Sequence, residues 1–124
     1  MPLPHREYAG VRVVSPLGRL DHENCESFQA DLVPHLDASS QESGALVLDL
    51  SRLEYISSAG LRSFMLASRE AKAQQARIFV AALQPMVEEI FGISHFNLVF
   101  QVFPTVREAL AAVSPAAAAA YSRG

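Results

Sequence analysis

Three short apolar runs lead into segments with helical spacing: "ALVLDL" at 45–50, "ARIFVAAL" at 76–83 and "NLVFQVF" at 97–103. A continuous apolar run of this length marks a strand covered on both faces. Parallel strands need crossover connections, and strands that alternate with helices supply them. The chain is therefore constrained to the α/β class, with a mostly parallel sheet and helices packed against it. Its 124 residues fit one domain, and a domain of that size buries a core without disulfides or metals.

The remaining elements follow from turn signals and periodicity. "EYAGVRVVSPLGRL" predicts strands near 7–14 and 17–20, paired as an N-terminal hairpin around Ser15-Pro16. Asp21 is then read as an N-cap, with Glu23 and Glu26 in the first helical turn. Cys25, Phe28, Leu32 and Leu36 recur as one buried face, and Pro34 is expected to bend or shorten that helix. "DASSQESG" is read as a loop ending in Gly44. Further helices are expected over about 58–75, in "QPMVEEIFGI" between Pro85 and Gly92, and in "PTVREALAAV", where Val106, Leu110 and Val113 share a side. The expected order is two strands followed by α-β-α-β-α-β-α, with about four helices in a domain spanning 1–114. The alanine-rich end, 115–124, is read as a flexible tail.

Composition excludes several functions. A formal charge of −3 gives no basic footprint for nucleic acid. Cys25 is the one cysteine, so neither an internal disulfide nor a Cys-based zinc site is expected. No apolar run approaches the length of a membrane span, and "MPLPHREYAG" lacks a signal-peptide core, so a cytoplasmic protein is expected. "DHENCE" gathers Asp21, His22, Glu23, Cys25 and Glu26, but their positions on a helix point several ways and no pair has a zinc spacing. No metal or cofactor is therefore expected; Walker and dinucleotide glycine patterns are also lacking. An esterase elbow would flank Ser58 with glycines, whereas Ile56 and Ser57 precede it. Glu88 and Glu89 are adjacent and read as solvated charges. A hydrolase or metal enzyme built on Ser58 or His22 is the weakest of three readings, and no enzymatic activity is expected.

The stretch "LDLSRLEYISSAGLRSF" carries the functional signal. Ser57 suits an N-cap, contributing about 1 kcal/mol. Gly60 costs a helix about 1 kcal/mol relative to alanine, so a close approach to its backbone is expected, either by a partner or by tight internal packing. On the helix, Leu61, Phe64, Ser68, Ala71 and Gln75 share the core side, with Met65 at its edge. Ser58, Arg62, Leu66, Arg69 and Ala73 form the opposite stripe, either a solvated face with one leucine or a docking strip. On the second reading Arg62, Leu66 and Arg69 contact the partner. A phosphate on Ser58 would be tolerated at the helix N-terminus yet would sit inside any interface on that strip.

"LVLDLSRLEYISSAGLRSF" resembles the signature region of the STAS domain of bacterial anti-sigma factor antagonists. "GRLDHENCESFQADL", "ARIFVAAL" and "VFQVFPTVREAL" extend the resemblance over roughly 7–113. It implies a small α/β protein that binds an anti-sigma factor while unphosphorylated. That partner is also a serine kinase with an ATP-binding fold; phosphorylation ends the association, and a serine phosphatase restores it. Aligned on the family's glycine, Gly60, Ser58 takes the phosphoacceptor position, and Asp49 matches the acid that ends the preceding strand. Ser57 stands where the family commonly has Asp, and Ala59 where it has a second Ser. The alternative implied by the same family is a phosphorylation-independent scaffold in a sensory assembly, or an accessory subunit of a transporter.

Overall fold

A computed structural model describes residues 3–123. Strands β1 (His5–Tyr8) and β2 (Val11–Val14) form an antiparallel hairpin. Their two-residue loop is Ala9-Gly10, both at positive φ (51° and 82°), the backbone of a tight type I′ turn. The hairpin expected around Ser15-Pro16 is thus displaced to 5–14. The next strand, β3 (Gly18–Leu20), does not return to β2; it pairs in parallel with β5 (Leu53–Ile56) in a separate two-stranded sheet.

The main sheet continues with β4 (Ala45–Asp49), β6 (Arg77–Ala81) and β7 (Gln101–Phe103), in the order β1-β2-β4-β6-β7. All of its pairings except β1 with β2 are parallel. "NLVFQVF" is a strand only at its end, because Phe96–Leu98 form a 3-10 turn first.

Helices cover both faces, which explains the continuous apolar runs. On one face Leu46, Leu48, Ile78 and Val80 meet α1 (Cys25–Gln41), α2 (Ser58–Ala73) and α3 (Pro85–Ile93). Phe64 of α2 is central there, with ring centroids 5.5 Å from Phe28, 5.9 Å from Phe91 and 6.0 Å from Phe100. On the other face Val11, Val13, Ala45, Val47, Phe79 and Ala81 meet α4 (Val106–Val113) and α5 (Pro115–Arg123).

Three boundaries differ from expectation. Asp21 does not cap α1, which begins at Cys25 after a turn; there Asp21 Oδ1 accepts the Glu23 amide at 3.0 Å. Glu23 therefore precedes the helix. α1 runs through Pro34 to Gln41, so most of "DASSQESG" is helix and the loop is confined to 42–44. Residues 115–123, expected as a flexible tail, are α5, with Ala117 and Ala118 buried. Ala-rich sequence has high intrinsic helicity, and here a sheet face stands ready to cover it.

Candidate functional site at the start of helix α2

The site is built where β5 hands the chain to α2. Ser57 is extended (φ −84°, ψ 176°), and its Oγ accepts the Gly60 amide at 3.2 Å. The Leu61 amide donates to the Ser57 carbonyl at 2.9 Å, closing the first turn. Ser57's own amide donates to the Leu20 carbonyl at 2.9 Å, so β3 extends its pairing with β5 into the helix start. Both ends of the Ser57 backbone are thereby fixed.

Gly60 is buried, and the space beside it belongs to this chain. A Cβ there would lie 2.7 Å from the Leu20 oxygen and 2.9 Å from Ile56 Cγ2. Internal packing, not room for a partner's backbone, accounts for the glycine. Ser63, one turn on, donates from Oγ to the Cys25 carbonyl at 3.2 Å, tying α2 to the start of α1.

Ser58, the first residue of α2, is exposed, as are Arg62 and Arg69; Ala59 is half-buried. Neither arginine forms an ion pair among the described residues. Leu66 is half-buried rather than a fully exposed contact, lining a groove of about 250 Å³ with Leu32, Val33, Leu36 and Ala67. The stripe is therefore polar and exposed at Ser58, Arg62 and Arg69, with its leucine turned toward α1. On the core side, Gln75 lies past the helix end at φ 59° and is exposed, while Gly60, Ser63 and Ala67 are buried in addition to Phe64, Ser68 and Ala71.

Asp49 takes a different direction. Its Oδ1 accepts the Ser51 amide at 3.0 Å and its Oδ2 the Ser15 hydroxyl at 3.5 Å. It lines a cavity with Val13, Val106 and Tyr121, on the side of the sheet that α4 and α5 cover, whereas α2 packs on the other side. What reaches the start of α2 is β3, through the Leu20 carbonyl that accepts the Ser57 amide. Asp21, the next residue, is half-buried; its Oδ1 accepts the Glu23 amide and its own amide donates to Asn24 Oδ1 at 2.9 Å, forming the turn Asp21–Asn24. Sequence reading missed the reach of β3 because it gave "LEYI" no strand partner; the need to satisfy the Ser57 amide is the signal that points to β3.

Among the described residues no three His, Cys, Asp or Glu side chains converge on a possible metal position. Among the same residues no helix is long and apolar enough to cross a membrane.

The family model of the STAS domain matches residues 3–109. The chain belongs to the STAS domain family. This STAS domain is 36% identical over 112 residues to BtrV of Bordetella bronchiseptica, named as a candidate anti-sigma factor antagonist, covering 90% of this chain and 93% of that one. Its fold is similar to that of a candidate anti-sigma factor antagonist of Thermotoga maritima, with a TM-score of 0.79, 19% identity, and 90% and 93% of the two chains covered. It is also similar to the phosphorylated form of the Bacillus cell-fate determinant SpoIIAA, with a TM-score of 0.65, 20% identity, and 90% and 98% covered. At these identities the two structures speak for the shared STAS fold alone.

Proposed function

We propose that this STAS protein is an anti-sigma factor antagonist controlled by phosphorylation at Ser58. Unphosphorylated, it binds an anti-sigma factor that is also an ATP-dependent serine kinase, and so frees a sigma factor for transcription. Ser58 Oγ attacks the γ-phosphorus of ATP held by the kinase, ADP leaves, and the hydroxyl proton passes to a base of the kinase. The protein is thus a substrate and a binding module, not a catalyst. A serine phosphatase returns it to the binding form.

The observation that supports this reading best is the placement of the Ser58 hydroxyl. It is exposed at the first position of a helix whose start is fixed by the Ser57 cap and the Leu20 carbonyl. A phosphoserine there, carrying roughly −2 charge, suits the positive end of α2. The same charge at an interface formed by the α2 stripe opposes docking through desolvation. Arg62 and Arg69 are the exposed contacts of that interface, with Leu66 at its apolar margin. Ser57 keeps a cap oxygen where the family commonly has an acid.

The test is site mapping. The protein is incubated with ATP, magnesium and the ATP-binding anti-sigma factor of its own organism, then read by mass spectrometry. One phosphate on Ser58 and none on the Ser58→Ala variant is the expected result. Stoichiometric modification at another serine, or none, overturns the assignment and leaves the phosphorylation-independent scaffold.

A further inference from the structure

A cluster of charged and titratable groups lies apart from the start of α2, where the edge strand β1 meets α1. Arg12 of β2 is half-buried, and its Nε donates to Glu7 Oε1 at 3.1 Å. Glu7 is its cross-strand partner in the hairpin. Arg12 Nη1 lies 3.0 Å from Nδ1 of His35, a residue of α1 that is only 9% exposed. A guanidinium only donates, so Nδ1 must accept. The imidazole hydrogen is thereby assigned to Nε2 and the ring is neutral. His5 shares a face of β1 with Glu7, and its ring lies 4.5 Å from that of His35 between centroids. One guanidinium thus joins β1, β2 and α1, and a second histidine closes over the joint.

The other groups around His35 are few. Asp31, one turn earlier on α1, provides an opposing negative charge. β4, beneath α1, presents Leu46 and Leu48 on this side. α2, the other neighbour of α1, holds Arg62, Arg69, Glu70 and Lys72 exposed. Arg6 points to the opposite face of β1 from His5 and Glu7.

We propose that Glu7, Arg12, His35 and His5 form a pH-sensitive latch that holds β1 against α1 at neutral pH and releases it on acidification. A proton taken up from solvent can reach His35 either at its accepting nitrogen or not at all, because Nε2 already carries hydrogen. Protonation replaces the acceptor facing Arg12 with a donor and creates an imidazolium beside a guanidinium and a second histidine. Burial, then His5 and Arg12, hold the His35 pKa below its ordinary value of 6.5, and Asp31 partly offsets them. Because the latched form binds the proton less readily than the released form, the latch contributes in full above pH about 6.5 and weakens as pH falls below it. Release would uncover the outer edge of β2 and separate Tyr8 from Tyr121 of α5, whose rings now meet edge to face at 5.2 Å.

Backbone hydrogen exchange of the full chain between about pH 7.5 and about pH 5.5, corrected for intrinsic rates, tests the latch. In the wild type, protection of the β1 and β2 amides should fall severalfold, up to about tenfold, over that range. In His35→Asn, whose Oδ1 reproduces the accepting Nδ1 but cannot be protonated, it should stay flat. Equal profiles in the two proteins, or a wild-type profile without change, overturn the proposal. Should His35→Asn fail to fold, NMR titration of wild-type His35 decides: a midpoint below 6.5 shared by the β1 amides is expected, and amides that ignore the ring's titration refute the latch.

Discussion

The Leu20 carbonyl and Gly60 touch: the oxygen occupies the space that a side chain at position 60 would need, 2.7 Å from an ideal Cβ. The same oxygen accepts the Ser57 amide. One atom of β3 therefore sets both the height at which α2 begins and the residue type within its first turn.

Gly60→Ala should destabilise the protein despite alanine's better helix propensity. The clash is with backbone, which cannot rotate away, and overpacking of this kind costs about 1–3 kcal/mol. Gly92 in α3 provides the control, since a Cβ there meets nothing within 4 Å. Gly92→Ala should stabilise by up to about 1 kcal/mol. Urea denaturation of both variants checks the opposite signs.

Ala9 sits at φ 51° in the β1–β2 turn. A left-handed backbone costs an alanine about 1–2 kcal/mol, while Asn tolerates it and Asn-Gly is a preferred type I′ pair. Ala9→Asn should raise the melting temperature by a few degrees, measured by circular dichroism; a lowered value would place the strain elsewhere.

Removing the Ser57 cap should loosen α2 without touching the Ser58 hydroxyl. Ser57→Ala is expected to cost about 1 kcal/mol, and Ser57→Asp to restore the cap. Denaturation midpoints that rank wild type and Ser57→Asp together above Ser57→Ala confirm the role. Equal midpoints for all three would remove it.

Arg62 and Arg69 are exposed on the stripe headed by Ser58. Reversing both charges, Arg62→Glu with Arg69→Glu, should weaken binding to the anti-sigma factor by more than about tenfold. Stability should change little, because both side chains lie outside the core. Calorimetric titration gives the affinity, and an unchanged value excludes these residues from the interface.

The sequence revealed strands and helices where burial is symmetric or periodic. β4 and β6 are legible because residues such as Leu46 and Val47 are buried on opposite faces of one strand. α2 is legible from Phe64, Ser68 and Ala71 at helical spacing. Pairing was less legible than existence. Nothing local says that Gly18–Leu20 passes by β2 and pairs with Leu53–Ile56. The extension of α1 past Asp37 is hidden because its buried residue there, Ser39, is polar, and α5 by a composition that also suits a fraying end. At the site, Ser57 was readable as a cap and Ser58 as exposed. The inner role of Gly60, the half-burial of Leu66 and the reach of β3 to the helix start all depend on neighbours distant in sequence.

Phosphoregulation rests on one hydroxyl, that of Ser58, and affinity measured against its charge state decides it. The dissociation constant for the ATP-binding anti-sigma factor would be measured for wild type, Ser58→Ala, Ser58→Asp and the protein phosphorylated by that kinase. Tight binding is expected of the first two and a loss of at least about a hundredfold, roughly 2.7 kcal/mol, of the phosphorylated form, with Ser58→Asp weakened in the same direction. Equal affinity for all four would exclude Ser58 as the switch.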